Sequence, residues 1–203
     1  MHTPRLTDLK RNAIVNAAAA EFRANGFEAT SMDRIAFVAN VSKRTVYNHF
    51  PSKEELFAET IVQLFQASAE LLELPYRSNV GLREQLTELM RLKMRTLEDP
   101  DFIALARVAI SEAIHAPERA LPIFARLNER EEGVTAWIRA AQLDGKLKTG
   151  DPAFAATILQ GQVKAFGFWP QVTMGAAPIT GGTAGPVIDA AVSMFLSYFG
   201  AEQ

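Results

Sequence analysis

The side chains in this sequence that are best suited to chemistry lie close together between residues 43 and 49. They combine cations that seek phosphate, amide and hydroxyl groups that reach base edges, and an aromatic hydroxyl. The set is Lys43, Arg44, Thr45, Tyr47, Asn48 and His49. On a short exposed helix these groups would face the major groove of DNA, which is about 12 Å wide. The residues alone leave open the alternative of a polar helix face that touches only water.

Residues suited to catalysis or metal binding do not form a recognisable group. There are no cysteines, and His2, His49 and His115 lack the i, i+4 spacing of a helical metal pair. The glycines of residues 145–150 precede no Lys-Ser/Thr, so we interpret them as a turn before a helix capped by Asp151. We therefore predict no catalytic residue, no metal site and no cofactor, and we expect a protein that is not an enzyme.

The charge distribution favours an interface at one end of the chain. The 203 residues carry a formal net charge of -2, which taken whole argues against a partner rich in phosphate. Residues 1–53, however, hold eight basic and four acidic side chains, whereas the remainder holds 13 basic and 19 acidic ones. A basic head on an acidic body is a recognised indication that the head contacts nucleic acid.

The composition is that of an ordinary globular protein, with 48% hydrophobic and 22% charged residues. No apolar run approaches the ~18 residues of a membrane span, and the first residues lead into no apolar signal core. We therefore expect a cytoplasmic protein without a membrane partner.

A long apolar stripe and a glycine predict the first helix. Ile14, Ala18 and Phe22 recur every four residues, as one face of a helix requires. The helix runs from about residue 7 to 25, and Gly26 ends it in the left-handed conformation that glycine adopts without steric cost.

Two short helices joined by a tight turn are predicted next, which is the arrangement of a helix-turn-helix reader of DNA. Thr30 or Ser31 caps the second helix and Ser42 caps the third. Asn40 lies in the turn, where asparagine tolerates a positive φ. The apolar residues expected to face inward are Ile35, Ala36, Val41, Val46 and Phe50.

The rest of the chain is also predicted to be helical. Pro51 ends the third helix, and Ser52 with Glu55 forms the capping box of a fourth. Apolar periodicity places further helices at about 81–98, 100–115, 118–143, 152–169 and 186–200. The segment from Pro170 to Gly185 is rich in Gly, Pro, Ala and Thr and is predicted to be a loop. We expect an all-α protein with a three-helix head, residues 1–52, and a larger helical body, residues 53–203.

Residues 10–58 resemble the N-terminal region of the TetR/AcrR transcriptional regulators. The matching residues are Gly26-Phe27, Thr30-Ser31-Met32, Ile35-Ala36, Val41-Ser42, Thr45-Val46-Tyr47, His49-Phe50 and Lys53-Glu54-x-Leu56-Phe57. The Asp151-Pro152 segment and the terminal aromatic helix are similar to the AefR-like C-terminal group of that family. Asn40 departs from the pattern, which usually has glycine there, and Phe37-Val38 stands where small or polar residues are usual.

The resemblance implies an all-α homodimer whose first three helices bind double-stranded DNA. Tyr47 and His49 would mainly reach phosphates, whereas Lys43, Arg44, Thr45 and Asn48 are the better candidates for base edges. The residues at the starts of the fourth and second helices, Lys53 and Ser31, would each meet a phosphate. Because a dimer presents its recognition helices about 34 Å apart, it would read a palindromic operator.

The resemblance also assigns the body to a ligand and to the partner subunit. Few polar residues fall on the faces of the middle helices that carry the candidate pocket walls, so the ligand is expected to be small and apolar or aromatic. Candidate pocket walls, each of which is also compatible with ordinary core, are Met90, Met94, Leu97, Phe102, Phe124, Trp137 and Phe166. Candidate residues of a four-helix dimer interface, which are also compatible with the core of a monomer, are Phe168, Trp169, Phe195, Leu196 and Phe199.

The prediction from these features is a ligand-responsive DNA-binding regulator, a repressor released from its palindromic operator when ligand binding favours another conformation. One alternative is an all-α small-molecule-binding protein or enzyme that uses the head as an interaction module. Another is a regulator without a ligand that acts through a partner protein.

Overall fold

The chain folds into helices, as predicted. The computed structural model describes residues 6–70, 74–128 and 133–201, apart from the side chains of Leu6, Glu70, Phe124 and Asn128. Within these ranges the helices are α1 (Leu6–Ala29), α2 (Met32–Val38), α3 (Lys43–His49), α4 (Lys53–Glu70), α5 (Leu82–Glu98), α6 (Pro100–His115), α7 (Pro117–Asn128), α8 (Gly133–Leu143), α9 (Pro152–Gly167), α10 (Trp169–Met174) and α11 (Gly181–Phe199). In the same ranges β-type pairing is limited to an isolated bridge between Leu147 and Gly200.

The helices divide into two compact units. As far as the structure describes them, the first unit comprises Met1–Gln66 and Ala104–Glu129, and the second comprises Ala67–Ile103 and Arg130–Gln203. The helices α1 to α3 and α7 therefore lie wholly in the first unit, whereas α4 and α6 contribute residues to both.

Local signals set the ends of the first helices. Gly26 has the positive φ that was predicted, 75°, but its ψ of 177° lies outside the left-handed helical region, in a conformation open mainly to glycine, and it interrupts the helical geometry of α1. The Oγ of Ser31 accepts a hydrogen bond from the amide of Arg34 at 3.2 Å and caps α2. Asn40 has the expected positive φ, 52°, in the turn before α3. Ser42 then caps α3 by accepting from the amide of Thr45 at 3.1 Å.

The core of the first unit holds the two short helices against α1. Ile14, Ala18 and Phe22 are all fully buried, as the four-residue periodicity predicts. Ile35 of α2 and Val46 of α3 are also fully buried and belong to the same core. The later helices complete it, since Leu105 of α6 and Ile123 of α7 pack in this cluster. The inward face predicted for the helix-turn-helix is confirmed.

The second unit is built around α9, which packs against α5, α8, α10 and α11. A β-carbon at Gly167 of α9 would lie 2.6 Å from the Sδ of Met94 and 3.3 Å from a methyl of Leu97. The absence of a side chain at Gly167 therefore permits the close approach of α9 and α5. Asp151 caps α9 by accepting from the amide of Ala153 at 2.9 Å, as predicted.

One of the predicted element boundaries was wrong. The helix expected over residues 118–143 is represented by α7 and α8, and residues 129–132 between them lie outside the described part of the chain. The loop expected from Pro170 to Gly185 contains most of α10 and the first turn of α11. Proline is tolerated at the start of α10, and Ala184 and Ile188 of α11 are buried against the rest of the unit. Tertiary burial thus outweighs the low helix propensity of this glycine-rich segment.

Candidate nucleic-acid interface

The recognition helix α3 presents a polar side and buries one apolar residue. Val46 is fully buried, whereas Lys43, Arg44, Tyr47 and Asn48 are exposed. Four of the predicted interface residues therefore share the accessible side of a seven-residue helix. Such a helix is short enough to enter a major groove with its exposed side chains toward the bases.

Lys43 is paired with a carboxylate of the preceding helix. Its Nζ lies 2.7 Å from Oδ1 and 3.0 Å from Oδ2 of Asp33, which is in the first turn of α2. The hydrogen bond and the charge of Asp33 raise the pKa of Lys43 above its ordinary value, so the ammonium stays charged. Lys43 Nζ also lies 6.0 Å from the ring centroid of Tyr47. The Asp33 carboxylate offsets part of the positive charge that Lys43 would offer a phosphate.

Among the residues of α3 predicted to contact DNA, Arg44 and Asn48 have side chains without an internal partner. Both are exposed, and neither side chain makes a hydrogen bond or ion pair with a residue that the structure describes. A guanidinium can form two parallel hydrogen bonds to guanine, and a side-chain amide can do the same to adenine. These two side chains therefore have their donors and acceptors available for base edges.

Thr45 and His49 are less accessible than predicted. Thr45 is half-buried and its Oγ lies 2.8 Å from the Oγ of Ser42, the cap of α3. His49 is half-buried, and its ring centroid lies 6.4 Å from that of Phe50. A hydroxyl has one donor and two acceptor sites, so the contact with Ser42 leaves the base contact of Thr45 a prediction. Ser31 is exposed at the N-terminus of α2, where its Oγ caps that helix.

Lys53 begins α4, as predicted, but its ammonium is engaged by backbone carbonyls. Its Nζ donates to the backbone carbonyls of Phe27, Glu28 and Thr30 at 2.8, 3.2 and 3.1 Å. It also lies 4.3 Å from the centroid of the Phe27 ring. The ammonium therefore satisfies the carbonyls at the end of α1 and ties α4 to it, so we withdraw its assignment as a free phosphate contact.

A buried carboxylate that the sequence analysis missed joins α1 to α2. Glu21 is 8% exposed and its Oε1 lies 3.3 Å from the Nε of Arg34. The Oε2 of Glu21 accepts from the side-chain amide of Asn25 at 3.1 Å. The hydroxyl of Thr30 donates to the carbonyls of Glu21 and Gly26 at 3.1 and 2.7 Å. A lone Glu on an otherwise apolar helix face was the signal in the sequence.

Glu59 of α4 is a second ionic junction within the first unit. Its carboxylate lies 3.0 Å from Arg11 of α1 and 2.7 Å from Arg126 of α7, and it accepts from Gln63 at 2.9 Å. Burial acts to raise the pKa of Glu59, but the hydrogen bonds from Arg126, Gln63 and Arg11 outweigh it and lower the pKa to about 2. The ionised form of Glu59 therefore joins three helices.

This junction makes the stability of the first unit depend on acidic pH. The pKa of Glu59 falls from 4.5 to about 2 on folding, so its contribution is complete above pH 4.5 and is lost as the pH falls toward 2. We expect the free energy of unfolding to fall by about 1–2 kcal/mol between these limits, because the partial exposure of both arginines screens the ion pairs. Urea unfolding at pH 7 and at about pH 3 would measure it. Glu59→Gln should remove this component, whereas the exposed Glu54→Gln should retain it.

The predicted pocket residues lie mostly in the core of the second unit. Met90, Met94, Leu97, Phe102 and Trp137 are all buried. Among them, Met94 also lines a cleft of about 410 Å³ that runs between α5 and α11. Phe166 is 58% exposed and is therefore not a wall of an enclosed pocket, and the Phe124 side chain lies outside the described part of the structure.

The core of the second unit also contains buried polar side chains. Gln85, Thr96, Thr135, Gln160 and Gln171 are buried in the second unit. Gln85 accepts from the indole Nε1 of Trp137 at 3.3 Å and donates to the carbonyl of Val80 at 2.7 Å. None of the five lines the cleft between α5 and α11, so the expectation of an apolar or aromatic ligand stays a prediction.

The residues predicted to form the dimer interface are divided between the core and the surface of the second unit. Phe195 and Phe168 are 1% and 9% exposed and form part of the subunit's own core, so we remove them from the interface. Trp169 is 47% exposed, and Leu196 and Phe199 are half-buried.

An exposed apolar face accompanies these residues on the second unit. We define it by α9, α10 and α11 residues that are 39–70% exposed: Phe154, Ile158, Phe166, Trp169, Met194 and Tyr198. At about 100° per residue, Phe154, Ile158 and Phe166 fall within an arc of about 120° on α9. A clustered apolar surface of this kind is typical of a protein interface.

In the described ranges, the acidic and histidine side chains are dispersed. No three or more of their Asp, Glu and His side chains form a group that could hold a metal ion. None of the helices in this part of the chain combines the length and the apolar character needed to cross a membrane.

Comparison with known proteins adds independent findings. Residues 14–60 match the family model described as bacterial regulatory proteins, tetR family, and residues 84–201 match the AefR-like transcriptional repressor, C-terminal domain. The chain is 31% identical to the uncharacterized HTH-type transcriptional regulator YhgD of Bacillus subtilis over 159 residues, 74% of this chain and 78% of YhgD.

Solved structures of transcriptional regulators are similar to nearly the whole chain. A TetR family transcriptional regulator from Pseudomonas syringae pv. tomato is 54% identical, with a TM-score of 0.80 over 98% of this chain and 100% of that one. The Flavonoid-responsive Regulator FrrA is 28% identical, with a TM-score of 0.74 over 96% and 98% of the two chains.

Proposed function

Because the chain belongs to the TetR family of DNA-binding transcriptional regulators, we propose that it acts in the cytoplasm as a homodimeric repressor of a palindromic operator. The single observation that carries the DNA-reading role is the exposed side of α3, where Arg44 and Asn48 have unengaged donors and acceptors. The relatives are regulators of transcription and not enzymes, so the enzyme alternative finds no support.

The exposed apolar face is the proposed dimer interface. Helices α9 and α11 pack on each other, so their exposed residues are available to a second copy as one surface. The same surface on both subunits gives a two-fold axis, and two recognition helices would then reach half-sites about 34 Å apart. This geometry supports the palindromic form of the operator.

Replacing Phe166 with aspartate should separate the dimer. The substitution places a carboxylate in the middle of the face, where desolvation on dimerisation would be unfavourable by several kcal/mol. We expect sedimentation analysis to show a mass of one subunit instead of two at micromolar concentration. Leu143→Asp is the matched control, because Leu143 is 84% exposed on α8 and lies outside the face. A dimer that survives Phe166→Asp would contradict this assignment.

The proposed effector is a small apolar or aromatic molecule that binds in the second unit. Support comes from the buried apolar side chains of Met90, Met94 and Trp137 and from the name of FrrA, which describes that protein as flavonoid-responsive. The ligand would release DNA only if it binds more tightly to the conformation with misplaced recognition helices. Helix α4 is the proposed link between ligand binding and the recognition helix. Three residues separate it from α3, and it continues into the second unit.

A mobility-shift assay with DNA from upstream of the protein's own gene tests the proposal. We expect a shift at low salt that an excess of unrelated DNA of equal length does not remove, because base contacts add to the sequence-independent phosphate term. Tyr47→Ala should abolish the shift while sedimentation still shows a dimer. Absence of a sequence-specific shift at low salt would overturn the assignment of the reading surface to α3.

A further inference from the structure

A cavity of about 220 Å³ lies within the first unit, apart from the region assigned to the apolar effector. The end of α1, the first turns of α4, and parts of α6 and α7 enclose it. Its apolar walls are formed by two aromatic rings and by small or branched residues: Phe27, Phe57, Ala58, Ala109, Ala120 and Ile123. The volume is below the roughly 300 Å³ at which pockets for drug-sized ligands begin, so the cavity suits a single ring with a short substituent.

The charged residues around the cavity are mainly acidic. Glu54 and Glu55 are exposed in the first turn of α4, and Glu112 contributes from α6. Neither Glu54 nor Glu55 makes a side-chain ion pair with a residue in the described part of the chain. Arg119 supplies the single positive charge among the lining residues. Lys53, whose Nζ lies 4.3 Å from the Phe27 ring, and Glu28, which pairs with Arg119, also flank the site. Four carboxylates and two cations give a net negative charge beside aromatic walls, which favours a cation over an anion.

Arg119 already occupies this environment as a cation. Its guanidinium carbon lies 5.0 Å from the centroid of the Phe27 ring. The same guanidinium lies 3.2 Å from the carboxylate of Glu112 and 3.3 Å from that of Glu28. The Glu112 side chain is 12% exposed, so this carboxylate has lost most of its contact with solvent. An aromatic face combined with a shielded carboxylate is the set of contacts that an organic ammonium group requires.

We propose that this cavity binds a small organic cation with one apolar ring, whose ammonium group displaces Arg119 from Phe27 and Glu112. The ring of the ligand would occupy the space between Phe57 and the alanines of α4, α6 and α7. Because Arg119 also pairs with Glu28 at the end of α1, its displacement would loosen a contact between α7 and the helix that supports α2. This site differs in ligand class and location from the effector site proposed above, and binding at it does not require DNA.

Calorimetric titration of the full-length, DNA-free protein tests the proposal with three single-ring probes of different charge. Benzyltrimethylammonium is the cation, phenylacetamide the neutral probe and phenylacetate the anion. We expect the cation to bind saturably and about tenfold more tightly than phenylacetamide, since its charge adds an electrostatic contact with the Glu112 carboxylate and a cation–π contact. No saturable binding of the cation at millimolar concentration, or tighter binding of phenylacetate, would overturn the proposal.

Two charge-neutralising variants should change affinity in opposite directions. Arg119→Gln removes the competing internal cation and should tighten benzyltrimethylammonium binding about fivefold. Glu112→Gln removes the shielded carboxylate and should weaken it about fivefold or more. Arg95→Gln is the matched control because Arg95 lines the cleft of the second unit, and it should leave the affinity unchanged. Weaker cation binding in Arg119→Gln would contradict displacement of the guanidinium.

A third variant tests the location of the site. Ala109→Leu adds side-chain volume to the α6 wall and should abolish binding while circular dichroism and the unfolding midpoint show a folded protein. If a folded Ala109→Leu protein binds the cation as tightly as the unchanged chain does, the cavity is not the binding site. None of these measurements uses operator DNA, so their failure is distinguishable from failure of the proposed regulatory function.

Discussion

Replacing Arg44 with alanine is expected to lower the affinity for operator DNA by about 30-fold or more. Arg44 is exposed on α3 and makes no ion pair within the described part of the chain, so the variant disturbs no internal contact. A bidentate arginine–guanine pair is worth about 1–3 kcal/mol, and a dimer would lose two of them. At 1.4 kcal/mol for each factor of ten, the lower limit of about 2 kcal/mol corresponds to about 30-fold.

The measurement is a titration of operator and unrelated DNA at one fixed salt concentration, because the phosphate contribution depends on salt. Arg91→Ala is the matched control, since it removes the same charge from an exposed position on α5 in the second unit. Loss of operator affinity without an equal loss on unrelated DNA would identify Arg44 as a base contact. Equal losses on both would reassign it to a phosphate, and unchanged affinity would remove it from the interface.

Replacing Phe22 with alanine should destabilise the first unit by about 3–5 kcal/mol. Phe22 is fully buried, and its ring centroid lies 5.9 Å from that of Phe27 and 5.1 Å from that of Phe57. The substitution removes the aromatic contacts between α1 and α4 and leaves a cavity that the surrounding helices fill incompletely. Because domains are stable by only about 5–15 kcal/mol, the head should lose much of its folded population near 37 °C.

Urea unfolding of the variant and of a matched control gives the size of the effect. Phe37→Ala removes the same side chain from a position on α2 that is 75% exposed, and it should change the free energy of unfolding by less than about 0.5 kcal/mol. Similar losses in the two variants would mean that Phe37 is also packed in solution. Operator affinity should fall with Phe22→Ala in proportion to the unfolded fraction.

The helix-turn-helix was predictable because its signals are local. The cap of α2 at Ser31, the turn at Asn40 and the cap of α3 at Ser42 depend on hydrogen bonds and dihedral angles that span five residues or fewer. Hydrophobic periodicity is equally local, and it correctly identified Ile14 and Val46 as buried. The same reasoning missed α10 and the first turn of α11 between residues 170 and 185, because burial against the second unit stabilises these helices despite their low helix propensity.

The charged residues of the head show the limit of this reasoning. From the sequence alone, Arg44, Lys43 and Lys53 are equivalent cations. Their partners in the folded protein decide which of these charges is available to a DNA phosphate or base. Asp33 engages Lys43, and three carbonyls at residues 27, 28 and 30 engage Lys53. The net charge of the head, which first indicated a phosphate-binding end, therefore overstates the positive charge that it presents.

The sequence by itself determined the helical class, the head with its capped recognition helix, and the family resemblance, because each depends on residues close together in the chain. Tertiary structure alone decided which aromatic residues are buried, as Phe195 is, and which are exposed, as Phe166 is. It also created the acidic cavity, where Arg119 meets Glu28 from 91 positions away. Neither a burial pattern nor such a pairing follows from local spacing, because both depend on how distant helices pack.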